Sequence, residues 1–377
     1  MEERRGVIDW GAHLARMVEG LERRVDSAIG GIGWRSGRPN PIAAFVYRGF
    51  GTPERARVMG RVLEVDHTAP SGAGDPRWRN VFAALGRFES DEVPGARVAI
   101  RYGDAVQEVV TDPDGYFTTW IDGSAPDEAG AGWRKVRADL VDPPGLPGES
   151  RILVPSASAR IGIISDLDDT VIRTGVRRLV RMLASTFLEN ARTRLPFPGV
   201  AAFYQALHAG TTGSAQAPIF YVSSSPWNMH DFLLEFLEIR GIPVGPLLLR
   251  DWTMSHETFR PRGHHSHKTE AIELLFSTYP DLPFILIGDS GQHDPEIYRE
   301  MARRHPGRVP AIYIRDVTAN PIRAAQVREL AAEVAALGSK MVLVDDTLGA
   351  ARHAAEHGWI APERVAAVQE EVRVAAQ

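Results

Sequence analysis

The pattern of apolar and polar positions changes character along the chain. From residue 56 to about residue 154, apolar residues alternate singly with polar ones, as in Val58–Val62 and Val98–Tyr102. This alternation is typical of antiparallel strands with one buried face. After Arg160, short apolar runs alternate with stretches in which apolar residues recur every three or four positions. The chain is therefore predicted to be an α/β protein, with a parallel sheet covered by helices on both faces and preceded by a small antiparallel β-sandwich.

The apolar runs after Arg160 predict six strands of the parallel sheet. They are residues 161–165, 219–222, 247–249, 284–287, 311–314 and 341–344. An apolar stripe from Met229 to Leu237 predicts a helix between two of these strands. Asn320-Pro321 predicts the start of another helix, which Gly338 ends.

Two segments rich in proline and glycine punctuate the first half of the chain. Asp112-Pro113-Asp114-Gly115 predicts a turn that joins residues 108–111 and 116–121 as a hairpin, because proline presets φ and glycine accepts the left-handed conformation. Residues 142–148 contain three prolines and two glycines, and we expect them to be the linker between the sandwich and the parallel sheet.

The N-terminal region carries apolar residues at helical spacing from Leu14 to Val25, which predicts an amphipathic helix. Packing on the protein itself is favoured over contact with a membrane surface, because the polar face has mixed charge. Gly30-Gly31-Ile32-Gly33 is expected to end this helix, and an irregular stretch is expected up to about Pro53. The predicted domains are residues 1–53, a sandwich over 54–155 and a parallel-sheet domain over 156–377.

Composition excludes several classes of protein. The 377 residues include no cysteine, which rules out disulfides, thiolate metal sites and a cysteine nucleophile. A net charge of −5 gives no footprint for general nucleic-acid binding. No signal-like leader and no apolar run of about 18 residues is present, so we expect a cytoplasmic protein. Peripheral contact with the inner membrane face is left open.

Polar residues follow the predicted strands at the edge where ligands bind in open parallel sheets. They are Asp166 and Asp168 after the first strand, Ser223, Ser224 and Ser225 after the second, Lys268 after a histidine-rich loop, and Asp289 and Asp294 around the fourth. Aspartates placed beside an apolar strand indicate a partner of positive charge, since an unpaired buried carboxylate is strongly disfavoured. Mg²⁺ is the expected partner because it prefers oxygen ligands.

This set of residues suits phosphoryl transfer through a covalent aspartyl-phosphate. Mg²⁺ held by Asp166, Asp289 and Asp294 would neutralise the nucleophile and the phosphate. A serine hydroxyl and a lysine ammonium would stabilise charge on the phosphoryl oxygens. Asp168 is expected to protonate the departing alkoxide and then to activate water.

Each of these residues also has a purely structural interpretation. Asp289 is equally expected to cap a turn, and Asp294 before Pro295 is a good helix N-cap. The serines are candidates to cap a helix near Pro226, and a single lysine is usually a solvated surface charge. Their joint occurrence in this order, each beside its own predicted strand, favours the catalytic interpretation.

The motif order resembles the haloacid dehalogenase (HAD) superfamily and, more closely, the phosphatidate phosphatases typified by the fungal actin-patch enzyme and their bacterial relatives. The similar segments are Ser165-Asp-Leu-Asp-Asp-Thr-Val171, Tyr221-Val-Ser-Ser-Ser-Pro-Trp227, Gly245-Pro-Leu-Leu-Leu-Arg-Asp251, His267-Lys268, Leu286-Ile-Gly-Asp-Ser-Gly-Gln-His-Asp-Pro-Glu-Ile-Tyr298 and, before the domain, Tyr47-Arg-Gly-Phe-Gly-Thr52. The resemblance covers about residues 160–360 and implies a Rossmann-like sheet.

The resemblance also implies roles for individual residues. Asp166 would be the nucleophile, Asp168 the acid/base, and Ser223 and Lys268 the phosphate ligands. Asp289 would be the carboxylate ligand of Mg²⁺, and Asp294 an outer ligand or the partner of the lysine. The implied activity is dephosphorylation of phosphatidate to diacylglycerol, a phospholipid substrate.

Further residues are candidates for the same site. Asp168 is a further metal-ligand candidate, and Thr170, Ser224, Arg173 and His267 are candidate substrate-binding residues. Arg173 begins a basic amphipathic segment that is read either as a membrane-facing rim or as a cap helix with solvated arginines. The histidine-rich run is expected to be a loop lining the substrate entrance, because it lacks the ligand spacing of a zinc site.

Two other functions remain as alternatives. One is a soluble phosphomonoesterase acting on sugar phosphates or polynucleotide ends, with the weak basic character arguing mildly against nucleic acid. The other is a non-catalytic scaffold that keeps the parallel sheet for binding.

Overall fold

The computed structural model describes residues 41–64, 92–128, 132–167, 198–213, 216–250, 264–318 and 320–375, which belong to one compact unit. Within these ranges the first sheet comprises β1 (Ile42–Val46), β2 (Gly49–Thr52), β3 (Arg55–Glu64), β4 (Arg97–Tyr102), β5 (Ala105–Val110), β6 (Tyr116–Asp122), β7 (Asp127–Glu128), β8 (Trp133–Asp142) and β9 (Gly148–Leu153). The second sheet comprises β10 (Gly162–Asp166), β11 (Ile219–Pro226), β12 (Leu247–Arg250), β13 (Phe284–Asp289), β14 (Ala311–Arg315) and β15 (Lys340–Val344).

The helices of the described residues all follow β10. They are α1 (Val200–Ala209), α2 (His230–Ile239), α3 (His264–Thr278), α4 (Asp294–Arg304), α5 (Pro321–Ala336), α6 (Thr347–Glu356) and α7 (Val365–Ala375), with short 3₁₀ helices at Trp227–Met229 and Pro362–Arg364. Among the described residues, none of the helices combines the length and the hydropathy of a membrane-spanning segment.

The first sheet is antiparallel except where β2 and β9 run parallel. Its strand order is β1-β3-β2-β9-β8-β4-β5, with β6 paired to β3 and β7 to β8. The alternating residues predicted to be buried are buried: Val58, Val98 and Ile100 have no exposed surface. They lie in a core of their own with Phe117 and Val136. The single-residue alternation therefore identified the buried face of this sheet correctly.

The predicted hairpin around residues 112–115 is wrong. The turn is present, and the Asp112 carboxylate accepts hydrogen bonds from the amides of Asp114 and Tyr116. However, β5 pairs with β4 and β6 pairs with β3, so the turn connects two strands that do not pair with each other. The two strands are linked by side chains, with Gln107 donating to Thr119 at 2.7 Å. A turn signal fixes the local chain reversal and leaves strand pairing undetermined.

Two further expectations for the first half are also wrong. The stretch expected to be irregular up to Pro53 contains β1 and β2. Residues 142–148, expected to be the linker, connect β8 to β9, which are antiparallel neighbours in the first sheet. Gly148 is needed there because a Cβ would meet the backbone of Ala44. A segment rich in proline and glycine indicates a connection but does not say whether the connected strands share a sheet.

The second sheet is parallel throughout, in the order β12-β11-β10-β13-β14-β15. All six predicted strands are present. Its two faces are covered, as predicted: Ile164, Phe220 and Leu286 lie in the core with residues of α3, α4 and α5. Alternate residues point the other way, where Tyr221 stacks on Tyr204 of α1 and Tyr313 contacts His353 of α6.

The predicted start of α5 is confirmed, and α6 begins with a similar side-chain cap. Asn320 caps α5 by accepting from the amide of Ile322, with Pro321 in the first turn. Asp346 caps α6 by accepting from the amide of Gly349 at 2.9 Å. The predicted N-terminal helix and the basic segment after Arg173 lie outside the described residues.

The first sheet packs against the second sheet through residues 47–51. Phe50 is buried in the core of the second sheet, and the Tyr279 hydroxyl donates to the backbone carbonyl of Gly51. Tyr47 stacks on Trp227 with ring centroids 4.9 Å apart. Because Trp227 follows β11 directly, this contact supports the strand end that carries the serine run.

Candidate active site

Three carboxylates meet at the carboxyl edge of the second sheet. Asp166 ends β10 and Asp289 ends β13, and these strands are neighbours in a register that pairs Ser165 with Ile287. One oxygen from each of these two aspartates and one from Asp294 all lie within 4.8 Å of one another. Since carboxyl ends of parallel strands share one edge, the sheet itself creates this cluster.

Lys268 lies between two of the carboxylates. Its Nζ is 2.8 Å from an oxygen of Asp166 and 2.8 Å from an oxygen of Asp294, and it also donates to Gln292 at 3.3 Å. The side chains of Lys268 and Asp166 are each 3% exposed. The surface-charge interpretation of Lys268 is therefore wrong, because a buried ammonium requires such partners.

The histidine-rich run before Lys268 is not a loop at its end. Helix α3 begins at His264, so His267 and Lys268 both lie within the helix. His267 is half-buried and adjoins Lys268 in sequence. The apolar spacing that marks a helix begins only after this polar run, so the sequence gives no helical signal for the run itself.

Asp294 holds Lys268 instead of capping a helix. One oxygen accepts from Lys268, and the other accepts from the backbone amide of Asp289 at 3.2 Å. His293 occupies the N-cap position of α4, so the N-cap interpretation of Asp294 is wrong. Burial raises the pKa of the Asp294 carboxyl, and the nearby charge of Asp289 raises it further, while Lys268 opposes the shift.

The loop after β13 wraps around the Asp289 carboxylate. Its Oδ1 accepts from the amides of Gly291 at 2.7 Å and Gln292 at 3.2 Å, so Asp289 does cap a turn. A carboxylate has two oxygens, so Asp289 can accept these hydrogen bonds and still bind a cation. Gly288 precedes the loop, and a Cβ there would meet the Asp294 side chain and the Tyr298 ring at 2.8 Å. Glycine is therefore required for the close approach of these groups.

The serine run, residues 223–225, follows the part of β11 that pairs with β10. The register pairs Asp166 with Val222, so Ser223 comes one residue further along. Ser223 is fully buried, and its hydroxyl accepts from the amide of Ser225 at 3.0 Å. Ser224 is half-buried. Pro226 occupies the N-cap position of the 3₁₀ helix, so the helix-cap interpretation of the serines is wrong.

Two tyrosines that the sequence did not single out support the strand ends. The Tyr204 hydroxyl lies 2.6 Å from the hydroxyl of Ser165, next to Asp166. Burial raises the pKa of Tyr204 to about 12. The Tyr298 hydroxyl donates to the carbonyl of Ile287, and burial followed by the charge of Asp294 raises its pKa. Both phenols come from helices, and no local sequence signal connects them to the strand ends.

Three candidate residues, Asp168, Thr170 and Arg173, lie outside the described residues. Within the described site, one oxygen from each of three carboxylates lies within 4.8 Å of the other two. Several carboxylate oxygens close together are ligands that fit a hard divalent cation such as Mg²⁺. The residues able to hold it are Asp166 and Asp289, with Asp294 beside them.

Residues 161–316 match the family model described as "Phosphatidate phosphatase APP1, catalytic domain". The chain is 33% identical over 156 residues to Phosphatidate phosphatase APP1 of Saccharomyces cerevisiae, covering 41% of this chain and 26% of that protein. It is 30% identical over 159 residues to an uncharacterized protein of Schizosaccharomyces pombe, covering 42% of this chain and 25% of that protein. The chain thus matches about a quarter of the length of these curated relatives.

A solved structure described as a probable phosphoserine phosphatase from Vibrio cholerae aligns with 75% of this chain and 88% of its own. Its TM-score is 0.27 and its sequence identity is 11%, which is too low to support any conclusion about fold or function. The stretch that matches the family model contains β10 to β14 and the carboxylate cluster.

Proposed function

We propose that this protein is a Mg²⁺-dependent phosphatase of the HAD superfamily that acts through an aspartyl-phosphate and hydrolyses phosphatidate to diacylglycerol and phosphate. The observation that carries the proposal is the cluster itself: Asp166 lies at a strand end within 4.8 Å of two further carboxylates and in contact with a buried lysine. The stretch that matches the phosphatidate phosphatase catalytic domain contains all of these residues.

The reaction would proceed in two displacements at phosphorus. An oxygen of Asp166 attacks the phosphorus atom, the P–O bond to the substrate alcohol breaks, and the departing alkoxide takes a proton from Asp168. Water then attacks the phosphorus of the acyl phosphate and gives a proton to Asp168. This second step releases inorganic phosphate and restores the Asp166 carboxylate.

The described side chains prepare Asp166 for the first step. The Lys268 ammonium offsets the negative charge of Asp166 and so lowers the repulsion between the nucleophile and an anionic phosphate. The ion pair between Lys268 and the Asp294 carboxylate fixes the position of that ammonium. Bound Mg²⁺ would supply further neutralisation of charge on the phosphoryl oxygens. Ser223 and Ser224 are the proposed hydroxyl donors to phosphate, and Thr170, Arg173 and His267 are proposed to contact the substrate.

The lipid substrate is supported by similarity alone. The relative from Saccharomyces cerevisiae is named a phosphatidate phosphatase, and the chain matches about a quarter of its length. The carboxylate and lysine cluster recognises a phosphoryl group and carries no feature specific for a glycerolipid. We also propose cytoplasmic location with peripheral membrane contact, because a lipid substrate lies in a bilayer. Co-sedimentation with phosphatidate-containing vesicles tests that contact.

The deciding experiment measures phosphate release from phosphatidate in mixed micelles, from soluble sugar phosphates and from polynucleotide ends, each with and without Mg²⁺. We expect Mg²⁺-dependent release, fastest from phosphatidate, and its abolition by Asp166→Asn. Asp346→Asn is the matched control, because Asp346 also follows a strand of the second sheet but caps α6, and asparagine caps equally well.

Each other outcome has a definite meaning. Faster release from the soluble esters would replace the lipid substrate with a soluble phosphomonoester. No Mg²⁺-dependent release from any substrate would favour a non-catalytic scaffold. Full turnover by the Asp166→Asn variant would contradict the assignment of the nucleophile.

A further inference from the structure

Arg323 lies in the first turn of α5, outside the stretch that matches the catalytic-domain family. Its side chain reaches back to the loop after β13, where Nε donates to the carbonyl of Ser290 at 2.8 Å and Nη2 donates to the carbonyl of Gln292 at 2.7 Å. The side chain is 16% exposed. A single guanidinium therefore binds the outer side of the loop that wraps around Asp289.

The bond to Ser290 acts on Asp289 through one peptide group. In a trans peptide the C=O of one residue and the N–H of the next point in opposite directions. The carbonyl of Ser290 accepts from Arg323, and the amide of Gly291 in the same peptide donates to the Asp289 carboxylate at 2.7 Å. Arg323 thus fixes the orientation of the Ser290–Gly291 peptide plane, which directs the Gly291 N–H at the Asp289 carboxylate. Its positive charge also polarises this peptide, so that the N–H becomes a stronger hydrogen-bond donor.

The guanidinium is itself held in place. Both terminal nitrogens contact the Glu296 carboxylate on α4, with Nη2 at 3.0 Å from one oxygen and Nη1 bonded to the other. Arginine provides donors in a planar fork, whereas lysine provides a single ammonium without that geometry. Replacement by lysine would keep the charge and lose the simultaneous contacts with the two carbonyls and Glu296.

We propose that Arg323 is a positioning residue for the divalent-cation site, which orients the Asp289 carboxylate through the Ser290–Gly291 peptide. The proposal rests on the proposed function, since it assumes that Asp289 binds a divalent cation. Groups that orient a metal ligand are commonly worth about 10- to 100-fold in metal affinity. We expect loss of the Arg323 contacts to weaken cation binding within about this range while the fold is kept.

Arg308 provides a matched control at the other end of the same strand. Its backbone carbonyl accepts from the amide of Phe284, the first residue of β13. Its guanidinium donates to the carbonyls of Tyr279 at 2.6 Å and Leu282 at 2.9 Å. Arg308 therefore also holds backbone carbonyls through a guanidinium, but its contacts lie before the first residue of β13, at the opposite end of the strand from the Asp289 loop.

The test titrates Mn²⁺ alone, as an EPR-visible substitute for Mg²⁺, into the full chain and into Arg323→Lys and Arg308→Lys variants. Thermal unfolding without metal is measured in parallel. We expect the dissociation constant for Mn²⁺ to rise about 10-fold or more for Arg323→Lys. We expect Arg308→Lys to lower the melting temperature while its Mn²⁺ affinity stays within about twofold of the original.

The outcomes separate this inference from the function on which it rests. Equal Mn²⁺ affinity in the original chain and in Arg323→Lys would overturn the role of Arg323. A parallel loss of affinity in both variants would also overturn it, because the effect would then be general destabilisation. No Mn²⁺ binding by the original chain would instead remove the divalent-cation site, and with it the proposed function.

Discussion

Charged side chains are arranged very differently in the two sheets. On the first sheet, Asp139 accepts from Arg101 at 2.8 Å and from Arg137 at 2.7 Å, and Arg137 also bonds Glu149. These four side chains are between 27% and 59% exposed. At the edge of the second sheet, Lys268 and its two aspartate partners are at most 3% exposed. The bond lengths are nearly the same, but the exposure of the side chains differs.

This difference in exposure shows which charged side chains are kept at a cost in folding free energy. Exposed ion pairs exchange water for a partner at little net gain. Buried charges lose their hydration, and apolar side chains of similar volume would often be no less stable. Three carboxylates and a lysine are nevertheless held together at a strand edge. We therefore infer that their charges serve a function. Four substitutions test this comparison, in order of decreasing expected effect.

Replacing Lys268 by methionine should have the largest effect, because it leaves two buried carboxylates without their cation. We expect the free energy of unfolding to fall by about 3–5 kcal/mol and phosphate release to be lost. Denaturant unfolding and the phosphate assay measure the two effects. Lys340→Met, at an exposed lysine that starts β15, is the matched control and should change neither. A variant that is as stable and active as the original would refute the buried network.

Replacing Asp294 by asparagine should come next. Asparagine keeps an acceptor for the Asp289 amide but removes the charge that fixes Lys268. We expect phosphate release to fall about 10- to 100-fold, as is typical when a group that orients a metal site is lost. Stability should change less than for Lys268→Met, because Lys268 keeps Asp166 as a charged partner. An unchanged rate would show that Asp294 only fills space.

Arg61 sharpens the comparison because it is a buried charge in the first sheet. Its guanidinium donates to the carbonyl of Asp114 at 2.9 Å and pairs with Glu92, and its side chain is 9% exposed. We expect Arg61→Met to lower the free energy of unfolding by about 1–3 kcal/mol through lost hydrogen bonds. Phosphate release per folded molecule should not change. Loss of activity in the folded variant would link the first sheet to catalysis.

Asp139→Asn should have the smallest effect. Hydrogen bonds from Arg101 and Arg137 lower the pKa of Asp139, so any stabilisation is present above the unfolded-state pKa and is lost as pH falls through the lower folded-state value. Because the group is near the surface, we expect unfolding curves that cannot be distinguished from the original at neutral pH. Any small difference should vanish in acid and in high salt. A large, salt-insensitive loss would contradict the contrast between the two regions.

The parallel sheet was predictable from the sequence because its strands are buried on both faces. Continuous apolar runs such as residues 284–287 mark such strands directly, and all six appear. The polar residues that follow them then meet at one edge by topology alone, which is why Asp166 and Asp289 were singled out together. The Asn320-Pro321 signal also identified the start of α5.

Contacts between distant parts of the chain were not predictable in the same way. The partners of β5 and β6 depend on pairing across the whole first sheet, and a turn sequence does not encode that pairing. Arg323 reaches a loop about 30 residues earlier, and nothing in its local sequence marks the contact. The residue types alone left Asp294 open between an N-cap and a metal ligand, because both roles require a carboxylate, and only the family resemblance implied its contact with the lysine.

The most direct test of the central claim is to trap the covalent intermediate on Asp166. Borohydride reduces an acyl phosphate to an alcohol, so quenching the protein during turnover of phosphatidate with Mg²⁺ should convert residue 166 to homoserine, which peptide mass spectrometry detects. We predict this conversion at residue 166 alone, and none without substrate or in the Asp166→Asn variant. Sustained phosphate release with no reduced aspartate, or with reduction at another residue, would contradict the account.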